Sequence, residues 1–88
     1  MKRSKIDIIY DMLKAIESKG GMIKPTHLLY KSNLSHQRMK VYLQELKNKG
    51  LIAEATKNKK LHYELTDDGR KFIQSFKQMK EFTQAFGL

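Results

Sequence analysis

The apolar residues of this chain change their period twice within 88 positions, and that alternation limits the folds open to it. Ile6, Ile9, Leu13 and Ile16 step by three and four, a helical stripe with Ile8 and Met12 beside it. Gly20-Gly21 stops that helix. Pro25 and Thr26 open a second, short helix through Leu28, Leu29 and Tyr30, and Ser32-Asn33 breaks it. Ser35 is suited to cap a third helix over 35–49, with Met39, Tyr42, Leu43 and Leu46 as its inner face. Lys47 and Lys49 match the negative end of its dipole, and Gly50 follows. The period then falls to two. Leu51–Thr56 and Leu61–Leu65 read as extended runs flanking Lys57-Asn58-Lys59-Lys60, with Leu61, Tyr63 and Leu65 inward and His62 and Glu64 outward. Thr66 restores the helical period, with Asp67 and Asp68 at the positive end of a last helix whose apolar positions are Phe72, Phe76, Met79 and Phe86. The expected fold class is α+β, mostly helical: three helices, a two-stranded hairpin and a long C-terminal helix.

A chain of this size makes one small domain that buries roughly 60% of its unfolded surface, so a partner subunit would add to a thin core. Cysteine is absent, which removes disulfides, thiolate metal sites and thiol nucleophiles. The basic start Met1-Lys2-Arg3-Ser4 imitates a signal peptide. The apolar stretch after it is interrupted by Asp7 and Asp11, so neither export nor membrane spanning is expected, and a cytoplasmic, nucleoid-associated location follows. Charge is more informative. Between Lys19 and Lys60, ten basic residues face two acids, Glu45 and Glu54, which places +8 of the net +9 in the middle of the chain. A solubilising surface would spread that excess. Its concentration describes a face for a polyanion.

Two helices joined by a short break and followed by a small hairpin describe a helix-turn-helix with a wing. Asn33-Leu34-Ser35, Tyr42-Leu43-Gln44-Glu45-Leu46, Lys49-Gly50-Leu51-Ile52 and Leu65-Thr66-Asp67-Asp68-Gly69-Arg70 occur in that order. Together they resemble the small archaeal winged-helix DNA-binding regulators that carry a long C-terminal dimerisation helix. The resemblance covers nearly the whole chain. It implies a DNA-binding domain over 1–65, a dimerisation helix over 66–88 and antiparallel pairing of that helix.

The residues point to the same surface independently. With Met39, Leu43 and Leu46 inward, a step of about 100° per residue turns Gln37, Lys40, Val41, Gln44 and Asn48 outward. Arg38 and Glu45 fall on the flank, Glu45 beside Arg38 or Lys49, and Ser35 and His36 begin the first turn. Glutamine can bridge adenine, arginine can bridge guanine, and Val41 can meet a thymine methyl in a major groove. Lys57, Asn58, Lys59 and Lys60 form a wing tip suited to phosphate or the minor groove, although lysines also guard ordinary hairpin edges. Lys2, Arg3 and Lys5 could act as a loose basic arm.

Other candidates take structural roles. His27, His36 and His62 lack metal-ligand spacing, so no metal or other cofactor is assigned. Asp67 and Asp68 belong to a helix start, and Gly69 points to close backbone packing. With no nucleophile and base pair and no phosphate-binding loop, an enzyme is not expected. The leading expectation is a dimeric, sequence-specific transcription regulator binding double-stranded DNA. An architectural chromatin protein with little sequence preference is the alternative, and an RNA- or protein-binding winged helix is a third class. For the homodimer, Phe76, Met79, Thr83 and Phe86 form the expected seam, with Phe82 widening it and Phe72 and Ile73 anchoring the helix to its own core.

Overall fold

The computed structural model describes residues 3–88. Helix α1 (Lys5–Ser18) is followed by a short strand β1 (Met22–Ile23), α2 (Pro25–Ser32), α3 (His36–Asn48), the hairpin β2 (Ile52–Lys57) and β3 (Lys60–Leu65), and α4 (Asp67–Ala85). The strands form an antiparallel sheet in the order β1-β3-β2. This is the mostly helical α+β winged arrangement expected from the periods. No helix among the described residues is long and apolar enough to cross a membrane.

Local chemistry explains the boundaries. Ser4 caps α1 reciprocally with Asp7, the serine hydroxyl accepting from the Asp7 amide at 3.2 Å while the carboxylate accepts from the Ser4 amide at 3.3 Å. Pro25 starts α2, and Asn33, in the left-handed region at φ 55°, ends it. The Ser35 hydroxyl accepts from the Arg38 amide at 3.2 Å, as expected for the cap of α3. Thr66 caps α4 by accepting from the Gly69 amide at 3.0 Å, while its hydroxyl donates to the Gly50 carbonyl at 2.6 Å. One side chain thus starts α4 and ties it to the end of α3.

The core runs through Ile8, Ile9, Met12, Leu13 and Ile16 of α1, Ile23, Leu28, Leu34, Met39, Leu43, Leu46, Ile52, Tyr63, Leu65 and Ile73. Four expectations change. Strand β1 was not anticipated, because two residues are too few to show a period. It pairs Met22 with Glu64 and Ile23 with Tyr63, and the Leu65 amide extends the pairing to the Gly21 carbonyl at 2.8 Å. The buried face of α1 is turned toward Ile8 and Met12, which leaves Ile6 46% exposed. Within β3, Leu61 is exposed and His62 is buried. Leu61 lies one pair from the tip, opposite the exposed Thr56. The His62 ring turns back along its own strand, its Nδ1 donating to the Lys60 carbonyl at 3.0 Å, so burial leaves no polar atom unsatisfied. Finally, the anchoring of α4 reaches one turn further than Ile73. Phe76 is buried with its ring centroid 4.5 Å from that of Tyr10, while Phe72 is half-buried.

Gly69 explains how α4 leaves the wing. A Cβ at this position would collide with the Leu51 carbonyl oxygen and lie 2.7 Å from Leu65 Cδ1. The first turn of α4 passes that close to the β2 entry, and glycine is what permits it.

Candidate nucleic-acid interface

Helix α3 presents one continuous outer face. Ser35, His36, Gln37, Arg38, Lys40, Val41, Gln44 and Asn48 are all exposed, Val41 by 65% although it is apolar. Burial of Met39, Leu43 and Leu46 fixes this orientation. Gln44 Nε2 donates to Asn48 Oδ1 at 3.0 Å, holding two amides one helical turn apart in a defined pose.

The acids of the basic middle segment are both engaged. Glu45 does not sit with Arg38 or Lys49, as the flank position had suggested. It pairs with Lys5 of α1 at 2.9 Å and is thereby drawn away from the outer face of α3. Glu54 of β2 pairs with Lys47 of α3 at 2.9 Å, and the hydrogen bond that Lys47 donates to Glu54 is the main cause of a raised Lys47 pKa. Of the ten basic residues between Lys19 and Lys60, nine enter no ion pair among the described residues. The positive field is therefore left almost uncompensated on α3 and the wing.

At the wing tip, β2 and β3 are joined by Asn58 and Lys59 alone, with φ of 54° and 63°. Both central residues at positive φ make the mirror-image turn that suits the twist of a hairpin. Asparagine tolerates that region, but lysine there costs roughly 1 kcal/mol relative to glycine. Lys57 and Lys60 are direct cross-strand partners, a like-charge pair that destabilises the hairpin. All four tip residues are exposed.

The N-terminal arm is not loose where it is described. Arg3 donates to the Asp11 carboxylate at 2.8 Å and to the Ser32 carbonyl at 2.9 Å, and Lys5 is held by Glu45. Lys2 lies outside the described residues. These clamps by Lys5 and Lys47 were missed at the level of sequence, because their partners lie 40 and 7 positions away with no helical spacing to link them. His27, His36 and His62 stand on α2, α3 and β3, and no group of three His, Asp or Glu gathers among the described residues.

Met79, Phe82 and Phe86 project from α4 with 52%, 66% and 68% of their surfaces exposed. Phe76 and Thr83, placed on the seam by the sequence, are buried and half-buried. The exposed apolar stripe accordingly runs through Met79, Phe82 and Phe86, turned one position around the helix.

A family model described as winged helix-turn-helix matches residues 2–84. A comparison with curated proteins finds no match. Among solved structures, the DNA-binding protein Sso10a-2 from Sulfolobus solfataricus superposes with a TM-score of 0.79 at 20% identity, over 96% of this chain and 85% of that one. BpsR from Bordetella bronchiseptica, whose DNA binding is regulated by 6-hydroxynicotinic acid, gives 0.73 at 19% identity over 89% of this chain. A transcriptional regulator structure from Pseudomonas aeruginosa gives 0.79 at 20% identity over 98%. This chain spans 58% and 61% of the two bacterial proteins. Likenesses at this level of identity establish the fold.

Proposed function

The chain belongs to the winged helix-turn-helix family, and on that premise we propose that it is a dimeric transcription regulator of double-stranded DNA. Helix α3 enters the major groove, where Gln37, Arg38, Lys40, Val41 and Gln44 meet base edges and Ser35 and His36 meet the flanking backbone. Lys57, Asn58, Lys59 and Lys60 hold phosphates or enter the minor groove. The observation that carries this reading is the wing tip, where a lysine stands at positive φ beside two lysines paired across the strands. The like-charge pair works against the hairpin on its own and is relieved by a polyanion, and the lysine kept at positive φ adds a local cost of the kind found at functional sites. The similarity to the Sulfolobus DNA-binding protein, to BpsR and to the Pseudomonas transcriptional regulator structure supports the same reading, as does the resemblance of the sequence to small archaeal regulators. The protein then acts by binding rather than catalysis, at the nucleoid, and needs no cofactor.

The residues 66–88 supply the homodimer contact through the exposed stripe of α4, setting two recognition helices about a two-fold axis. Sedimentation at micromolar concentration tests this directly: twice the chain mass is expected, and a compact monomer overturns it.

Binding-site selection from random duplexes, followed by salt titration of the winning sequence, tests the DNA reading. A defined operator is expected, with affinity falling roughly 10³–10⁵-fold between 50 and 200 mM salt if about six to ten phosphates are contacted. A flat base profile would instead establish the architectural alternative, which the nine unpaired cations favour. Absence of duplex binding at low salt defeats both.

A further inference from the structure

Two apolar cavities lie side by side between α1 and α4, sharing Ile6 and Phe72. The smaller, about 180 Å³, is lined by Ile6, Phe72, Ser75, Phe76 and Met79. The last four residues are spaced three, one and three apart, the diamond into which a facing helix inserts a knob. The larger, about 450 Å³, continues the groove past Phe72 to Ile9 and Leu51, with Lys5 and Lys49 at its rim. We propose that these cavities receive Phe86 and Leu88 of a second copy, which fixes the register of the antiparallel dimer. The inference rests on the dimer reading above and specifies its geometry.

The far end of α4 is built as the matching plug. The Gly87 amide donates to the Gln84 carbonyl at 3.0 Å and the Leu88 amide to the Thr83 carbonyl at 2.9 Å, with Gly87 at φ 74°. This closing turn holds Phe86 and Leu88 outward in fixed positions, 68% and 89% exposed. The Phe82 and Phe86 rings lie 5.0 Å apart and support each other.

Spacing selects the register. Ser75, Met79, Phe82 and Phe86 alternate by four, three and four, so an antiparallel copy can place its own stripe in the same holes. Setting Met79 against the partner's Phe82 puts Ser75 against the partner's Phe86, directly over the smaller cavity. The partner's Leu88 then continues toward Phe72 and the larger one. A shift by one heptad toward the N-terminus of α4 would bring the partner's Phe86 to Asp68 and leave both cavities empty.

Charge and area agree. Copies carrying +9 each repel unless their contact excludes cations, and residues 82–88 contain no charged side chain. The wall of the smaller cavity is also uncharged. Covering what Ile6, Met79, Phe82, Phe86 and Leu88 still expose removes on the order of 600 Å² per copy. The pair reaches about 1,200 Å², the lower bound for a stable interface.

Cross-linking tests the register, since the chain has no cysteine of its own. In the proposed pairing, Gln78 flanks the partner's Ala85, and neither flanks its own counterpart. A short bis-maleimide should therefore join Gln78→Cys chains to Ala85→Cys chains when the two are mixed, and join neither to itself. Gln78→Cys linking to itself reports the heptad-shifted register and overturns the inference while the dimer reading stands. Failure of every pair to link, in a protein that sediments as a dimer, has the same meaning. A monomer by sedimentation defeats the dimer reading and this inference together. Independently, Ser75→Trp should plug the smaller cavity and weaken dimerisation at least tenfold with helicity unchanged; an unaltered dimer overturns the proposal. Anilinonaphthalene sulfonate should bind the dilute monomer and be displaced as dimer forms. Undiminished dye binding to the dimer would assign the groove to a small apolar anion instead.

Discussion

Lys47 of α3 and Glu54 of β2 meet at 2.9 Å, joining the helix proposed to read DNA to the wing proposed to hold it. Glu54→Gln removes the clamp and adds one positive charge. Total stability should change little, because the pair is solvent-exposed. Tighter binding to random duplex at low salt is expected, together with weaker preference for the selected operator as the wing loses its fixed angle. Comparing operator and random-duplex affinities across a salt series checks this, and an unchanged ratio would show that the clamp does not set the geometry.

The shifted groups divide by pH. Lys47 has a raised pKa, so its contribution is fully present below the ordinary value of 10.5 and is lost only as pH climbs through the higher folded value. Asp7 is lowered, chiefly by its side-chain hydrogen bond with Ser4. Its contribution is present above the ordinary value of 3.8 and disappears as pH falls through the lower folded value. Neither group titrates near neutrality, so these two should leave thermal stability level between pH 6 and 9 (a window chosen roughly around neutrality). In acid, Ser4→Ala should bring the Asp7 titration back toward 3.8, as followed by NMR of the carboxyl carbon.

Lys59→Gly separates folding from binding. Glycine relieves the positive φ of 63°, so the hairpin should gain roughly 0.5–1 kcal/mol in denaturant unfolding. Duplex affinity should nonetheless fall about equally on all sequences, with a salt slope lower by about one unit. A variant that is more stable and binds equally well would remove the wing from the interface.

Gln37→Ala and Gln44→Ala should relax preference at particular base pairs by about 1–3 kcal/mol wherever the contact is bidentate. The two should differ in the free protein. Gln44 Nε2 donates to Asn48 Oδ1 at 3.0 Å in the free protein and keeps a second N–H and its Oε1 for a base, so Asn48→Ala should shift the preference that depends on Gln44 and leave that of Gln37 alone. Selection profiles for the three variants provide the comparison.

What could be read in advance was what depends on neighbours in the chain. Ser35 and Thr66 announce helix starts because a cap acts within three residues. The outer face of α3 follows from the spacing of Met39, Leu43 and Leu46. What could not be read depends on distant partners. Strand β1 exists because Met22 and Ile23 meet Glu64 and Tyr63. The stripe of α4 turned by one position because Tyr10, in another helix, claims Phe76. Lys5 left the proposed arm because Glu45 holds it. The type of each element was written locally, but which way its marginal residues faced was settled by tertiary contact.

Gly69 links these two levels, and replacing it should be costly for a reason outside its own helix. In the first turn of an isolated helix, alanine would be preferred to glycine by about 1 kcal/mol. Here the added methyl would meet the Leu51 carbonyl oxygen, which is backbone and cannot rotate aside, as well as Leu65 Cδ1 at 2.7 Å. Leu51 is further fixed because its carbonyl accepts from the Thr66 amide at 3.2 Å. The overpacking should therefore outweigh the propensity gain, for a net loss of about 1–3 kcal/mol in urea unfolding. Relief requires α4 to move off β2, which strains the Thr66 contact with Gly50 and tilts the stripe carrying Met79, Phe82 and Phe86. Gly69→Ala should consequently weaken dimerisation as well as folding, although it lies three turns from Met79, whereas Gln74→Ala, exposed on the same helix, should affect neither. A Gly69→Ala protein as stable as the parent would show that the β2–α4 junction is looser than the Leu51 contact implies.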